Sequence, residues 1–422
     1  MHALLRSSRA PEPVARFGEV RQQTEALCDP LETDDYQVQS VIDTSPPKWH
    51  LAHVTWFFET FLLKPYLDGY RPLDARYEQI FNSYYNTVGP FHPRPQRHTL
   101  SRPTVDQVYA YRAHVDTHMA ELMEACAPAN RTGFEHRLTL GLNHEQQHQE
   151  LLVMDVKRNF FANPLYPVYS EARSGPTAGA PPVRWLDFPG GIREIGHGGG
   201  SSFSFDNEQP RHKVFLRDYR LASRPVTNGE YLEFVEGGGY TRPELWLSDG
   251  WSTIQERRWL APLYWTKLDG VWHEMTLSGM RTLEPSTPVC HLSYYEADAY
   301  ARWQGARLPT EPEWEAATSS ENLDGNFVES GLYHPRPAAG PDDAQWFGDV
   351  WEWTASPYSP YPGYRPLEGA LGEYNGKFMA NQYVLRGGCC ATPLSHMRAT
   401  YRNFFYPHDR WPFTGLRLAS DG

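Results

Sequence analysis

Residues 140–152 read LGLNHEQQHQELL. Taken as a helix, at about 100° per residue, this run places Leu140, His144, Gln147, His148 and Leu151 along one stripe. His144 and His148 are four apart, so their side chains lie one above the other on the same face. A stripe of this kind is expected to face a core. Two imidazoles pointing into a core need partners, because buried ring nitrogens without them are costly. A metal ion would satisfy both. The plainer alternative is two core histidines bonded to protein groups.

Outward from that run, the first part of the chain keeps the same 3.6-residue apolar period. It predicts helices over roughly 12–28, 45–63, 104–126 and 132–158. Asp43-Thr44-Ser45-Pro46 reads as an N-cap with proline in the first turn, and Thr104-Val105-Asp106 reads similarly. Four helices of these lengths predict an all-α bundle over 1–160. Residues 161–182 contain SEARSGPTAGAPP and read as a linker. The remainder, 183–422, is rich in Gly, Pro, Trp and Tyr. Strand-like runs lie at WLDFPGGIREIGHG (185–198), HKVFLRDYRLA (212–222) and QYVLRGG (382–388), and a helix at 293–304. This predicts an α+β domain with long loops.

A third ligand is sought in SPPKWHLAHVTWFFETF (45–61), where the stripe Trp49, His53, Trp56 and Phe57 centres on His53 and leaves His50 at its edge. His114 and His118 are also four apart. Their helix, however, centres its apolar face on Val108, Tyr111, Val115 and Leu122, so they read as boundary residues. HEQQH (144–148) matches the zinc-hydrolase pattern H-E-x-x-H, in which Glu145 would be the base. The extended form, with a downstream glycine and third histidine, is absent. Three neutral histidines suit zinc hydrolysis or iron–oxygen chemistry, and residue chemistry leaves both open.

Composition bounds the rest. The chain has 422 residues, enough for two domains, with a formal net charge of -12, which disfavours nucleic acid as a partner. No apolar run of about 18 residues predicts a membrane span, and MHALLRSSRAPEPVARF (1–17) lacks the apolar core of a signal peptide. Five scattered cysteines, Cys28, Cys126, Cys290, Cys389 and Cys390, fit a reducing cytoplasm better than a disulfide framework.

Four further strings, RLPTEPEWEAA (307–317), GDVWEWTASPY (348–358), LRGG (385–388) and GLRLA (415–419), resemble as a set the formylglycine-generating-enzyme (sulfatase-modifying factor) fold, a C-type-lectin-like α+β domain. With Leu51-Ala52-His53 and the H-x-x-x-H-x-E run from His144 to Glu150, the whole chain resembles the ergothioneine-biosynthesis sulfoxide synthases. In these a DinB-like four-helix bundle precedes that domain. The resemblance implies iron(II) on His53, His144 and His148. It implies O2 as co-substrate, and hercynine and a thiol, cysteine or γ-glutamylcysteine, as substrates. It implies that Gln147 contacts the bound imidazole, and that Arg94 and Arg97, in FNSYYNTVGPFHPRPQR (81–97), bind a carboxylate. Tyr84 and Tyr85 match the tyrosine pair of one branch, implying a proton donor to the reacting oxygen. The other branch's tyrosine is missing near Leu371, while Tyr374 is retained. In YRNFFYPHDRW (401–411), Asn403 and Phe404 match hercynine-contacting residues. Cys389 stands where the family usually has serine, and the plain reading is a small buried residue.

Two alternatives stand beside this one. A selenoneine synthase, attaching a selenosugar to hercynine, shares the same architecture. A zinc-dependent hydrolase would use HEQQH.

Overall fold

The computed structural model describes residues 13–171, 179–200 and 202–422. Residues 1–12, which carry most of the run read for a signal peptide, and 172–178 of the expected linker lie outside the described residues. The chain forms two compact units. One comprises residues up to Ser83 and Gly89–Gln149; the other comprises Tyr84–Val88 and Glu150–Gly422.

The first unit is all-helical. Its long helices are α1 (Pro13–Ala26), α2 (Pro47–Phe58), α3 (Val105–Ala125) and α4 (Arg131–Ala162), the last continuing past the unit's boundary. Every residue of α2 is buried, the polar Lys48, His50, His53 and Thr55 included. A π-helical turn, Glu59–Leu63, follows it. The α3 start is a full capping box. Thr104 accepts from the Gln107 N–H, and the Gln107 side chain accepts from the Thr104 N–H. The expected cap ahead of α2 is not made: Pro46 occupies the N-cap position, with no side-chain cap. The hydroxyls are used elsewhere, Ser45 accepting from Arg97 at 2.7 Å and Thr44 donating to the Val41 carbonyl. On α3, Val108, Tyr111, Val115 and Leu122 are buried, and His114 and His118 are half-buried.

The expected boundary near residue 160 differs from the observed one. From Glu150 onward the polar side chains of α4 are engaged within the second unit. Trp351 donates to Glu150 at 2.7 Å and Trp411 to Asp155 at 3.0 Å, and Lys157 lies 2.8 Å from His291. Buried polar groups go where their partners are, so these turns belong with the strands and not with the bundle.

The second unit is α+β. Its largest sheet orders the strands Asn403–Phe405, Tyr383–Arg386, Trp351–Pro357 and Thr414–Gly415, the last pair parallel and the others antiparallel. A three-stranded antiparallel sheet joins Trp185–Phe188, Tyr219–Ala222 and Ala419–Asp421. Gly191–Ile195 pairs with His212–Leu216. The helix expected at 293–304 runs Tyr294–Trp303, with a Ser293–Glu296 capping box.

Ion pairs and hydrogen bonds tie the four marker strings together. Arg307 grips Glu313 through two 2.8 Å bonds, and Trp314 donates to Glu352 at 2.7 Å. Arg417 also binds Glu352, and Arg386 binds Glu311 and Glu315. Each charge is paired, and all but half-buried Arg307 are buried, which is why these residue types recur together. Among the described residues, no helix is long and apolar enough to cross a membrane.

Candidate metal centre

His53 projects from α2, and His144 and His148 from α4. Their candidate ligand nitrogens all lie within 4.8 Å of one another. His53 and His144 are buried and His148 is half-buried. The His53 Nδ1 is 2.6 Å from the Phe81 carbonyl oxygen, which leaves Nε2 for a ligand. That Nε2 lies 3.2 Å from the His144 Nε2. Two nitrogens bound at about 2.1 Å to one ion, at an angle near 100°, are separated by about 3.2 Å. The donor set therefore fits one first-row metal ion. Trp49 stacks on His53 with centroids 4.5 Å apart and Phe57 on His144 at 4.5 Å, fixing both ring planes.

Electrostatics keep the three rings neutral and ready to ligate. Burial pushes the His53 imidazole well below its ordinary range, and His144 adds to the effect. Burial lowers His144 to about 3. His148 is also well below its ordinary range, through burial first and then His144 and His53. A neutral imidazole has the lone pair that a metal needs.

The stripe reading of α4 needs one correction. The helix is buried on more than one face. Leu140 and His144 are buried, while Gln147, His148 and Leu151 are half-buried. Glu145, on a different face, is sealed completely. It accepts from Arg21 at 2.8 Å, Arg112 at 2.7 Å and Thr24 at 2.7 Å. Burial works against its charge, but Arg112 and Arg21 more than offset that and hold the carboxyl below its usual range. A carboxylate neutralised by two guanidiniums is a poor base for hydrolysis. In HEQQH, then, the two histidines join the cluster with His53, and Glu145 forms an internal ion pair.

Arg97 and Arg94 share a 3-10 turn, Arg94–Thr99, but part in environment. Arg97 is buried. It donates to Ser45 at 2.7 Å and Ser83 at 3.0 Å, and its guanidinium lies 3.3 Å from the centroid of Trp49, the ring that stacks on His53. Arg94 is exposed and reaches the Asp43 carbonyl at 3.4 Å.

The remaining expected residues lie in the second unit. Tyr84 and Tyr85 stack with centroids 4.6 Å apart; Tyr85 is buried and Tyr84 half-buried. Burial pushes the Tyr85 phenol well above its ordinary value, with Tyr84 and Tyr374 adding. Tyr374 is buried and stacks on Phe205 at 5.4 Å. Phe404 stacks on Tyr358 at 4.0 Å, and the Asn403 side-chain oxygen accepts from the Phe404 N–H.

Four further polar residues, His50, Glu150, Glu373 and Lys377, were given no role of their own from the sequence. His50 lies with its Nδ1 2.9 Å from the His148 Nδ1. Glu150, the last residue of the H-x-x-x-H-x-E run, accepts from Trp351 and Thr392, and its burial raises the carboxyl to about 7. Glu373 takes the N–H groups of Asn86 at 3.0 Å and Thr87 at 2.8 Å, and Lys377 donates both to Glu373 at 2.8 Å and to the Tyr84 carbonyl. The acid–base spacing in EYNGK (373–377) was the available signal for that last pair.

Against known proteins, residues 185–340 and 342–422 match the sulfatase-modifying factor enzyme 1-like domain, and residues 16–152 match the DinB superfamily. The chain is 32% identical over 411 residues to the hercynine oxygenase of Mycolicibacterium smegmatis, covering 89% of this chain and 91% of that one. It is 32% identical over 442 residues to the hercynine oxygenase of Mycobacterium tuberculosis, covering 98% and 99%. The chain belongs to the hercynine oxygenase family. Within that family its architecture is the expected pairing of a DinB-like helical unit with a sulfatase-modifying-factor domain. A further relative, ergothioneine biosynthesis protein 1 of Schizosaccharomyces pombe, is 30% identical over 233 residues, or 52% of this chain and 28% of that one.

Proposed function

We propose that this chain is an iron(II)-dependent sulfoxide synthase of ergothioneine biosynthesis. It joins the imidazole C2 carbon of hercynine to the sulfur of cysteine, or of γ-glutamylcysteine, with O2. The observation that carries this reading is the neutral three-histidine cluster, in a chain whose full-length relatives are hercynine oxygenases. Bound by His53, His144 and His148, iron(II) supplies the one-electron chemistry with O2 that no side chain provides.

The chain's own residues bind, orient and move protons. Gln147, one turn from His144 and half-buried, offers an amide to the substrate imidazole. Arg94 and Arg97 orient carboxylate groups, for which the guanidinium fork is suited. Arg97 is preorganised by its two serine bonds and by Trp49, so little is lost in ordering it. Asn403 and Phe404 contact hercynine, with aromatic faces from Phe404 and Tyr358 suited to a trimethylammonium. Tyr374 lines the same substrate region. Tyr84 or Tyr85 donates a proton to the reacting oxygen. Burial keeps the Tyr85 phenol protonated at neutral pH and makes it a weaker acid, so its part in proton transfer rests on its place in the stacked tyrosine pair.

The test is product analysis. The protein is loaded anaerobically with iron(II), then given O2 with hercynine and each of cysteine, γ-glutamylcysteine and a selenosugar. Hercynine-dependent O2 uptake with a cysteine or γ-glutamylcysteine sulfoxide is the expected result. Turnover with the selenosugar alone, or no hercynine-dependent uptake, would sink the proposal.

A further inference from the structure

His50 has no part in the three-histidine ligand set, yet it is buried and touches that set directly. Its Nδ1 lies 2.9 Å from the Nδ1 of His148, with ring centroids 5.2 Å apart and planes at 57°. Trp49 packs edge-on against His50 at 5.8 Å and tilted against His148 at 6.2 Å, so the pair is held from the side as well.

A hydrogen bond between two imidazole nitrogens needs one protonated and one bare partner. If His148 gives a lone pair to a metal, its Nδ1 is taken by this bond and its Nε2 is the donor atom. The ring proton then sits on Nδ1 and is donated to His50. His50 must accept at Nδ1, so it is uncharged with its own proton on Nε2. We propose that His50 is the positioning residue of the metal centre: it fixes the tautomer and the ring orientation of His148, the least buried of the three ligands. This rests on the reading that the three histidines hold a metal.

The choice of partner also sets charge. Ligating histidines often donate their second N–H to a carboxylate, which raises ligand basicity. Here His148 donates to a neutral imidazole, and His53 faces the neutral Phe81 carbonyl. These two ligands therefore add no negative charge behind the ion. A centre that keeps its positive charge attracts an anionic thiolate more strongly. His50→Asp should consequently raise the KM for the thiol several-fold while moving the KM for hercynine less.

The test compares His50→Asn with His50→Leu, two side chains of nearly the same shape that differ in having an acceptor. Iron(II) affinity is measured by anaerobic chelator competition. The wild type should bind one iron per chain. His50→Leu should bind roughly 10–100-fold more weakly, the usual effect of removing such a partner, and His50→Asn should recover most of the loss. Equal affinity in wild type and His50→Leu, or equal loss in both variants, overturns the proposal. A wild type that binds no iron overturns the metal reading itself, and this proposal with it. A second measurement needs no variant to fold. In the diamagnetic zinc(II)-loaded wild type, nitrogen-15 resonance should find the His148 proton on Nδ1; a proton on Nε2 refutes the assignment.

Discussion

Glu145 is the residue at which the two metal chemistries open to HEQQH part, so Glu145→Gln is the informative substitution. In a zinc hydrolase this residue is the base and its loss abolishes turnover. In this structure it is the buried anion between Arg21 and Arg112. Removing one partner of a buried ion pair costs about 3–5 kcal/mol. Two features pull the figure toward the lower end. Arg21 keeps Asp116 at 2.8 Å, and Arg112 keeps Glu25 at 2.8 Å. Glutamine can also retain part of the bonding to Thr24, so about 3 kcal/mol is expected. For a unit of this size that corresponds to roughly 10 °C in Tm. Calorimetry or circular dichroism should show the helical unit melting lower by that amount. Iron-loaded variant, measured per folded protein, should turn over within about threefold of wild type. An unchanged Tm with abolished turnover would refute the reasoning and restore Glu145 as a base.

Other outcomes follow from the same contacts. Glu373→Gln should expose the Asn86 and Thr87 amides to hydrogen exchange and lower kcat by loosening the tyrosine pair; unchanged protection would contradict a holding role for Glu373. The Glu373 carboxyl is held at about 2, against burial, by Lys377 and by the Thr87 and Asn86 N–H groups. Its folded value is depressed, so its contribution is full above the ordinary carboxylate range and is lost progressively as pH falls from that range through about 2. Protection of these two amides should therefore be intact at about pH 5 and decline from there to about pH 2, and its loss already above about pH 5 would count against the assignment. Cys389→Ser should leave turnover unchanged and shift Tm by a few degrees at most. Cys389 is a buried thiol that burial holds well above its ordinary value, hence unreactive, and a large loss of turnover would point to a redox role.

The bundle and its metal face were largely legible because helical phase is a local property. Periodicity put His144 and His148 on one face and centred the α2 stripe on His53, and the structure brings these rings together. Phase cannot report which ring nitrogen faces which, and the His50–His148 contact joins positions 98 apart in the chain. Nor could it tell that Arg97 would be buried against Trp49 while Arg94, three residues earlier, stays exposed. The missing cap ahead of α2 is likewise beyond phase: the helix begins at Pro47, which puts Pro46 in the cap position, and Ser45 accepts from Arg97 instead. The contact units part at Glu150, inside the expected 1–160 segment, for a related reason: composition marks a Gly- and Pro-rich run, whereas the partners of Glu150, Asp155 and Lys157 lie in the second unit.

The claim on which everything else depends is that His53, His144 and His148 together hold one iron. Anaerobic iron(II) titration of the wild type and of His53→Ala, His144→Ala and His148→Ala measures it directly. The account predicts one tightly held iron per wild-type chain, and loss of that binding in each variant with the fold intact by circular dichroism. Retention of wild-type iron affinity in all three variants would contradict it.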